Sequence, residues 1–179
     1  MKNHNIGLLG GGLPQASLAN RLAETGQWEV YTMFLEGPLL SPAVHTARDF
    51  RDVLWLCGTL VLPHPVCREG LVLNAPLWQG PPADAGQFLG LIGKGVLLLT
   101  GAVSPAFARA AAAKEVTFTP LPPPEREDGW PDLVMDHLGR ARDKKVRPRP
   151  RSQSPNTPLA MSTDSLASRA YQSAPIFWA

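Results

Sequence analysis

Long hydrophobic runs and cysteines are both scarce in this chain of 179 residues, and each scarcity narrows what the protein can be. No apolar stretch approaches the roughly 20 residues that a helix needs to cross a bilayer, so no membrane partner is expected. The longest runs, Val53 to Leu62 and Gly95 to Leu99, read instead as buried strands. Two cysteines, Cys57 and Cys67, are too few for a disulfide framework. The first residues offer one Lys, a short apolar run and then glycines, which is not the plan of a secretory leader, so a reduced cytoplasmic setting is expected. Four histidines, at positions 4, 45, 64 and 137, fall at none of the paired spacings of structural zinc sites, and no metal is expected.

Proline is what the chain has in excess. Its 19 prolines gather at 120–124 and again from Pro148 through Pro158. Charge is also uneven, with 9 Lys+Arg against 11 Asp+Glu in residues 1–129 and 8 against 4 in residues 130–179. Between Lys144 and Ser154 the run KKVRPRPRSQS has a single aliphatic side chain, Val146, and cannot bury enough apolar surface to offset the entropy of ordering. The expected organisation is one domain over residues 1–129 and a disordered Pro/Arg/Ser-rich tail over 130–179. The Arg-Pro run lacks aromatic residues at binding spacing, so no nucleic-acid partner is expected.

Within the first part, Asn5 to Leu9 form a short apolar run that ends at Gly10-Gly11-Gly12, and Leu18 and Leu22 then recur at helical spacing. Pro14 suits a first helical turn and Gly26 a C-terminal cap, which predicts a helix over Pro14 to Thr25. Trp28 to Phe34 reads as a second strand, giving a βαβ start and a parallel sheet. Val53 to Leu62 is expected as the next strand, ended by Pro63 and Pro65, which cannot donate to a ladder. Helices are expected at Ala85 to Ile92 and Pro105 to Lys114, with strands at Gly95 to Thr100 and Val116 to Phe118. That order describes a three-layer α/β domain, flavodoxin-like or Rossmann-like, with a mainly parallel sheet.

Two stretches carry candidate chemistry. The glycine turn follows a strand and opens a helix, where backbone N–H groups and the helix dipole can hold a phosphate or carboxylate. The third small residue of a dinucleotide fingerprint is replaced by Gln15, so a plain tight turn, a small-anion site, a partner surface and a nucleotide site all stay open. The loop after Pro63 carries His64, Cys67, Arg68, Glu69 and Asn74. Arg68 can pair bidentately with a carboxylate, and Asn74 can add a directional hydrogen bond. His64 supplies the only side chain there with an intrinsic titration near neutrality. Cys67 beside His64 has no recognisable orienting third group, and no catalytic residue is assigned.

These residues also resemble a known family. IGLLGGGLPQASLANRLAETG is similar to the start of the A subunit of dipicolinate synthase, where a strand enters a Gly-Gly-Asp-x-Arg-Gln turn. LPHPVCREGLVLNAPLW resembles its Pro-rich strand end followed by Arg-(Asp/Glu)-Gly and Asn-Ala-Pro. GKGVLLLTGAVSP and PEREDGW resemble its next strand and an acidic segment near the end of its N-terminal domain. The resemblance covers residues 5–129, but where the family turn has Asp and Arg this chain has Gly12 and Pro14. It implies a role in dipicolinate biosynthesis during sporulation, by an oxidoreductase family that uses NAD(P) through a second domain. Nothing similar to that domain comes after Trp130, a pattern that fits a truncated or frame-shifted gene as readily as an evolved tail. The chain alone is therefore expected to hold no cofactor and not to turn over. It is expected to offer a substrate-facing rim of Gly10, Gly11, Gln15, Arg68 and Asn74 to a small dicarboxylate, or to associate with another dipicolinate synthase chain. A stand-alone nucleotide-binding domain and a non-catalytic interaction module are the alternatives.

Overall fold

The structure, a computed structural model, describes residues 4–37, 39–126 and 128–146. The tail expected to be disordered lies outside the described residues from position 147 onward. In chain order the elements are β1 (His4–Leu9), α1 (Leu13–Glu24), β2 (Trp28–Met33), β3 (Val44–Thr46), α2 (Phe50–Leu56), β4 (Thr59–Val61), β5 (Cys67–Glu69) and β6 (Val72–Leu73). Then come α3 (Ala85–Leu89), β7 (Leu97–Thr100), α4 (Pro105–Ala113), β8 (Thr119–Pro120) and α5 (Trp130–Val146). Six strands form one sheet in the order β3-β2-β1-β4-β7-β8, with every neighbouring pair parallel. Strands β5 and β6 form a separate antiparallel hairpin. Counting sheet strands alone, the order is 3-2-1-4-5-6, which makes the doubly wound fold Rossmann-like rather than flavodoxin-like. Its direction reverses between β1 and β4.

The alternation of β1 shows how the two faces are filled. Ile6 and Leu8 enter a core shared with Leu18 and Leu22 of α1, while Leu9 enters a second core with Val53, Phe88 and Phe107. Gly7 also faces the second core. A Cβ there would lie 2.6 Å from Val53 Cγ1 and 2.8 Å from Leu60 Cδ2, so the bare glycine is what lets α2 approach the sheet. Side-chain caps start the helices on that face: Asp49 accepts from the Arg51 N–H, Asp84 from the Gly86 N–H and Ser104 from the Phe107 N–H. Among the described residues no helix is long and apolar enough to cross a membrane.

Three expectations are corrected. The run from Val53 to Leu62 is not one strand, because its first part completes α2 and only Thr59–Val61 joins the sheet. Val53 is buried against the sheet while Trp55 and Leu56 of the same turn face outward, which a strand covered on both sides would not allow. Val116 to Phe118 is also not a strand. The Val116 N–H donates to the Ala111 carbonyl and closes α4, so pairing with β7 starts only at Thr119. Last, the folded domain does not stop at 129. Trp130, Val134 and Leu138 recur every four residues on one face of α5 and are buried in the core beneath α1. Arg21 Nη1 on α1 meets Asp132 Oδ1 on α5 at 2.7 Å. The compact unit accordingly includes α5.

Candidate ligand crevice

In doubly wound sheets the crevice beyond the carboxyl ends of the strands, at the point where strand order reverses, is where ligands bind. Here that point is flanked by the glycine turn after β1 and by the segment from Leu62 to Val66 after β4. The Leu62 and Val66 N–H groups donate to the Leu99 and Ala102 carbonyls, which fixes the second segment along the end of β7.

The glycine turn is closed by the protein itself. Gly10 and Gly11 have φ of 66° and 98°, a backbone region that side chains disfavour. The Gly10 N–H donates to the Met33 carbonyl at 2.8 Å and the Gly11 N–H to the Asn74 carbonyl at 2.7 Å. A Cβ on Gly10 would lie 2.9 Å from that same Asn74 oxygen, and one on Gly12 would lie 3.2 Å from Pro76 Cγ. The chain at 73–76 thus roofs the turn. Pro14 has no N–H, and the N–H groups of Gln15 and Ala16 are directed at the Gly12 carbonyl. A phosphate cradle needs several such donors converging on the ligand, and here the Gly10 and Gly11 N–H groups already bond within the protein.

Gln15 is turned away from the rim. It is 1% exposed, its Nε2 donates to the Val61 carbonyl at 3.1 Å, and its Oε1 accepts from Trp130 Nε1 at 2.8 Å. One side chain therefore joins the start of α1, the end of β4 and the start of α5. The Trp130 ring in turn stacks on the His64 ring, with centroids 5.6 Å apart and planes 27° from parallel. His64 Nδ1 accepts the Ala102 N–H at 3.0 Å, which puts the ring proton of the neutral form on Nε2. Burial lowers the His64 pKa, and protonation at Nδ1 would further set two donors against each other. A Cβ on Gly101 would lie 2.6 Å from His64 Cβ, so that glycine makes room for the ring.

Arg68 and Asn74 stand on the outer side. Arg68 Nε donates to Asn74 Oδ1 at 3.0 Å, and Asn74 Nδ2 donates to the Pro65 carbonyl at 3.0 Å. The Asn74 backbone N–H also donates to the Val66 carbonyl at 2.9 Å. With its amide engaged in this way, Asn74 holds Arg68 by Nε alone, and the two terminal nitrogens are the pair that forms a fork on a carboxylate.

The structure therefore brings all five sequence-derived rim residues to the switch point, but in two groups. Gly10, Gly11 and Gln15 are spent on internal packing and hydrogen bonds. Arg68 and Asn74 form an outward, hydrogen-bonded pair, and the Asn74 carbonyl joins the two groups. Trp130 falls within the expected tail, so sequence reasoning misses it as the buried partner of Gln15 and His64. Its spacing to Val134 and Leu138 is the signal that could have found it. The cysteines contribute no nucleophile. Burial, then Glu29, pushes the Cys57 thiol up to about 12, and burial, then Asp84, pushes Cys67 up to about 11, so both stay protonated near neutrality.

Fold and crevice together define a Rossmann-like α/β domain in which the first two N–H groups of the glycine turn bond within the protein. No protein-family model matches the sequence, and no curated protein matches it. Among solved structures, the A chain of dipicolinate synthase from Bacillus subtilis matches 67% of this chain at 12% identity with a TM-score of 0.54. The corresponding A subunit from Bacillus halodurans matches 65% at 10% identity with a TM-score of 0.55. Glycerol-3-phosphate dehydrogenase from Coxiella burnetii matches 82% at 12% identity with a TM-score of 0.50. At these identities the likeness shows a shared fold. The matched region spans 40% of each dipicolinate synthase chain and 51% of the dehydrogenase.

Proposed function

We propose that this chain is a relative of the N-terminal domain of the dipicolinate synthase A subunit, linked to dipicolinate formation in sporulation. In this reading it binds a small dicarboxylate on the outer side of the crevice and no dinucleotide at the glycine turn. The observation that supports it is the double role of Asn74. Its carbonyl takes the Gly11 N–H, one of the turn's donors, while its side chain fixes Arg68 by Nε. Two carboxylates leaving water require cationic or N–H donors, and a guanidinium anchored at Nε presents them at little further entropic cost. The reading has no catalytic residue and no cofactor in this chain, and another dipicolinate synthase chain is the partner it suggests for turnover.

The test is isothermal titration of the purified chain with dipicolinate. Saturable binding is expected, lost in Arg68→Ala and weakened in Arg68→Lys, which keeps charge but not the fork. Heat that is unchanged in Arg68→Ala would remove the site. A second reading, nucleotide binding, is favoured by the strand order 3-2-1-4-5-6 alone. It predicts saturable NADPH fluorescence enhancement at micromolar concentration, whereas the dicarboxylate reading predicts none.

A further inference from the structure

The face of the sheet that carries α2 and α3 has an apolar feature unrelated to the crevice. Trp55 at the end of α2 is 92% exposed, Leu56 beside it 47%, and Leu91, just past α3, 49%. They flank a groove of about 590 Å³ that is also lined by Leu54, Arg51 and Asp52. The two helices are tied to each other, since Phe50 of α2 and Phe88 of α3 touch with ring centroids 5.6 Å apart and Phe88 is fully buried. An exposed indole with two leucines beside it makes a contiguous apolar patch, and Trp is among the residues that carry the most binding energy in interfaces.

The charges beside the groove say what fits it. Arg51 and Asp52 are adjacent, both exposed, and among the described residues neither enters an ion pair. One cation and one anion beside an apolar centre allow a two-fold arrangement that sets Arg51 of one copy against Asp52 of the other, twice. We propose that this face pairs with a second copy of the same chain, each Trp55 seated in the other copy's groove. The inference is independent of the ligand reading.

Sedimentation equilibrium of the full chain tests it. The chain is expected to dimerise reversibly, and Trp55→Ser to raise the dissociation constant about a hundredfold or more. Trp55 is almost fully exposed, so this variant keeps the core, and its unfolding curve at low protein concentration should overlay that of the parent. Charge reversal gives the sharper result. Arg51→Asp and Asp52→Arg, each alone, set like charges against each other and weaken the dimer, whereas an equimolar mixture of the two variants restores association as a heterodimer. A chain that stays monomeric at all concentrations, a dimer indifferent to Trp55→Ser, or a mixture no tighter than either variant would each overturn the proposal.

Discussion

The two segments that meet at the switch point make opposite use of similar backbone. The glycine turn after β1 has the residues of a ligand cradle, but the Gly10 and Gly11 N–H groups are taken by Met33 and Asn74 and its flank is filled by Gln15. The Pro-rich segment after β4 has the look of a rigid surface loop, yet it and the hairpin behind it place Arg68 on the outside. A glycine-rich turn is thus no guide to where the ligand goes until its N–H groups have been followed to their acceptors.

The inner side should break hardest. Trp130→Ala removes a buried indole, leaves Gln15 Oε1 without its donor and strips the support from His64, and a loss of about 3–5 kcal/mol is expected in urea unfolding. A loss below about 1 kcal/mol would mean that α5 is not held by this residue and that the folded domain does end near 129. Gln15→Leu comes next. It keeps the volume but leaves the Trp130 N–H unpaired in the interior and removes the tie to the Val61 carbonyl, at about 1–3 kcal/mol. If Gln15 instead faced a ligand, the same change would cost little stability and much binding.

His64 connects the two sides and should show itself through pH. Its folded pKa lies below the ordinary 6.5, so between the two values the unfolded chain binds a proton that the folded chain does not. Stability from this group is complete above 6.5 and declines as pH falls toward the folded value. Parent and His64→Asn, whose side-chain oxygen can still accept the Ala102 N–H, should differ in the slope of stability against pH below 6.5. Parallel slopes would show that His64 takes up its proton as readily in the fold as in the unfolded chain.

How much of the fold and of the crevice is legible in the sequence depends on the range of the interactions involved. The β1-turn-α1-β2 start is legible because strand period, glycines, Pro14 and Gly26 are all local signals, and the structure moves those boundaries by a residue. The α2–β4 junction is not, because both elements are apolar, and a run of Leu, Val, Trp and Cys has no period that separates a buried strand from a helix facing a groove. Asp49, three residues before Asp52 and ahead of the apolar run, is the cap that could have marked the helix. At α5 the basic, Pro-rich composition of the residues beyond it masks a helix whose apolar side chains stand four apart. Arg68 and Asn74 can be singled out as candidates because their chemistry is visible one residue at a time. The direction of Gln15 is not, since its indole partner lies 115 positions away in sequence.

The smallest effect on stability should fall where the effect on binding is largest. Arg68 is exposed and makes one side-chain hydrogen bond, so Arg68→Ala should shift unfolding by no more than about 0.5 kcal/mol. Asn74→Ala should cost more, because the same side chain also ties to Pro65 and its loss loosens the segment that roofs the glycine turn. Measured side by side, the two variants separate the roles: both lose dicarboxylate heat, but only Asn74→Ala loses stability and frees the Gly11 N–H from its carbonyl in amide hydrogen exchange. If Arg68→Ala were as destabilising as Gln15→Leu, Arg68 would belong with the inner group, and the division between a packed turn and an outward rim would fail.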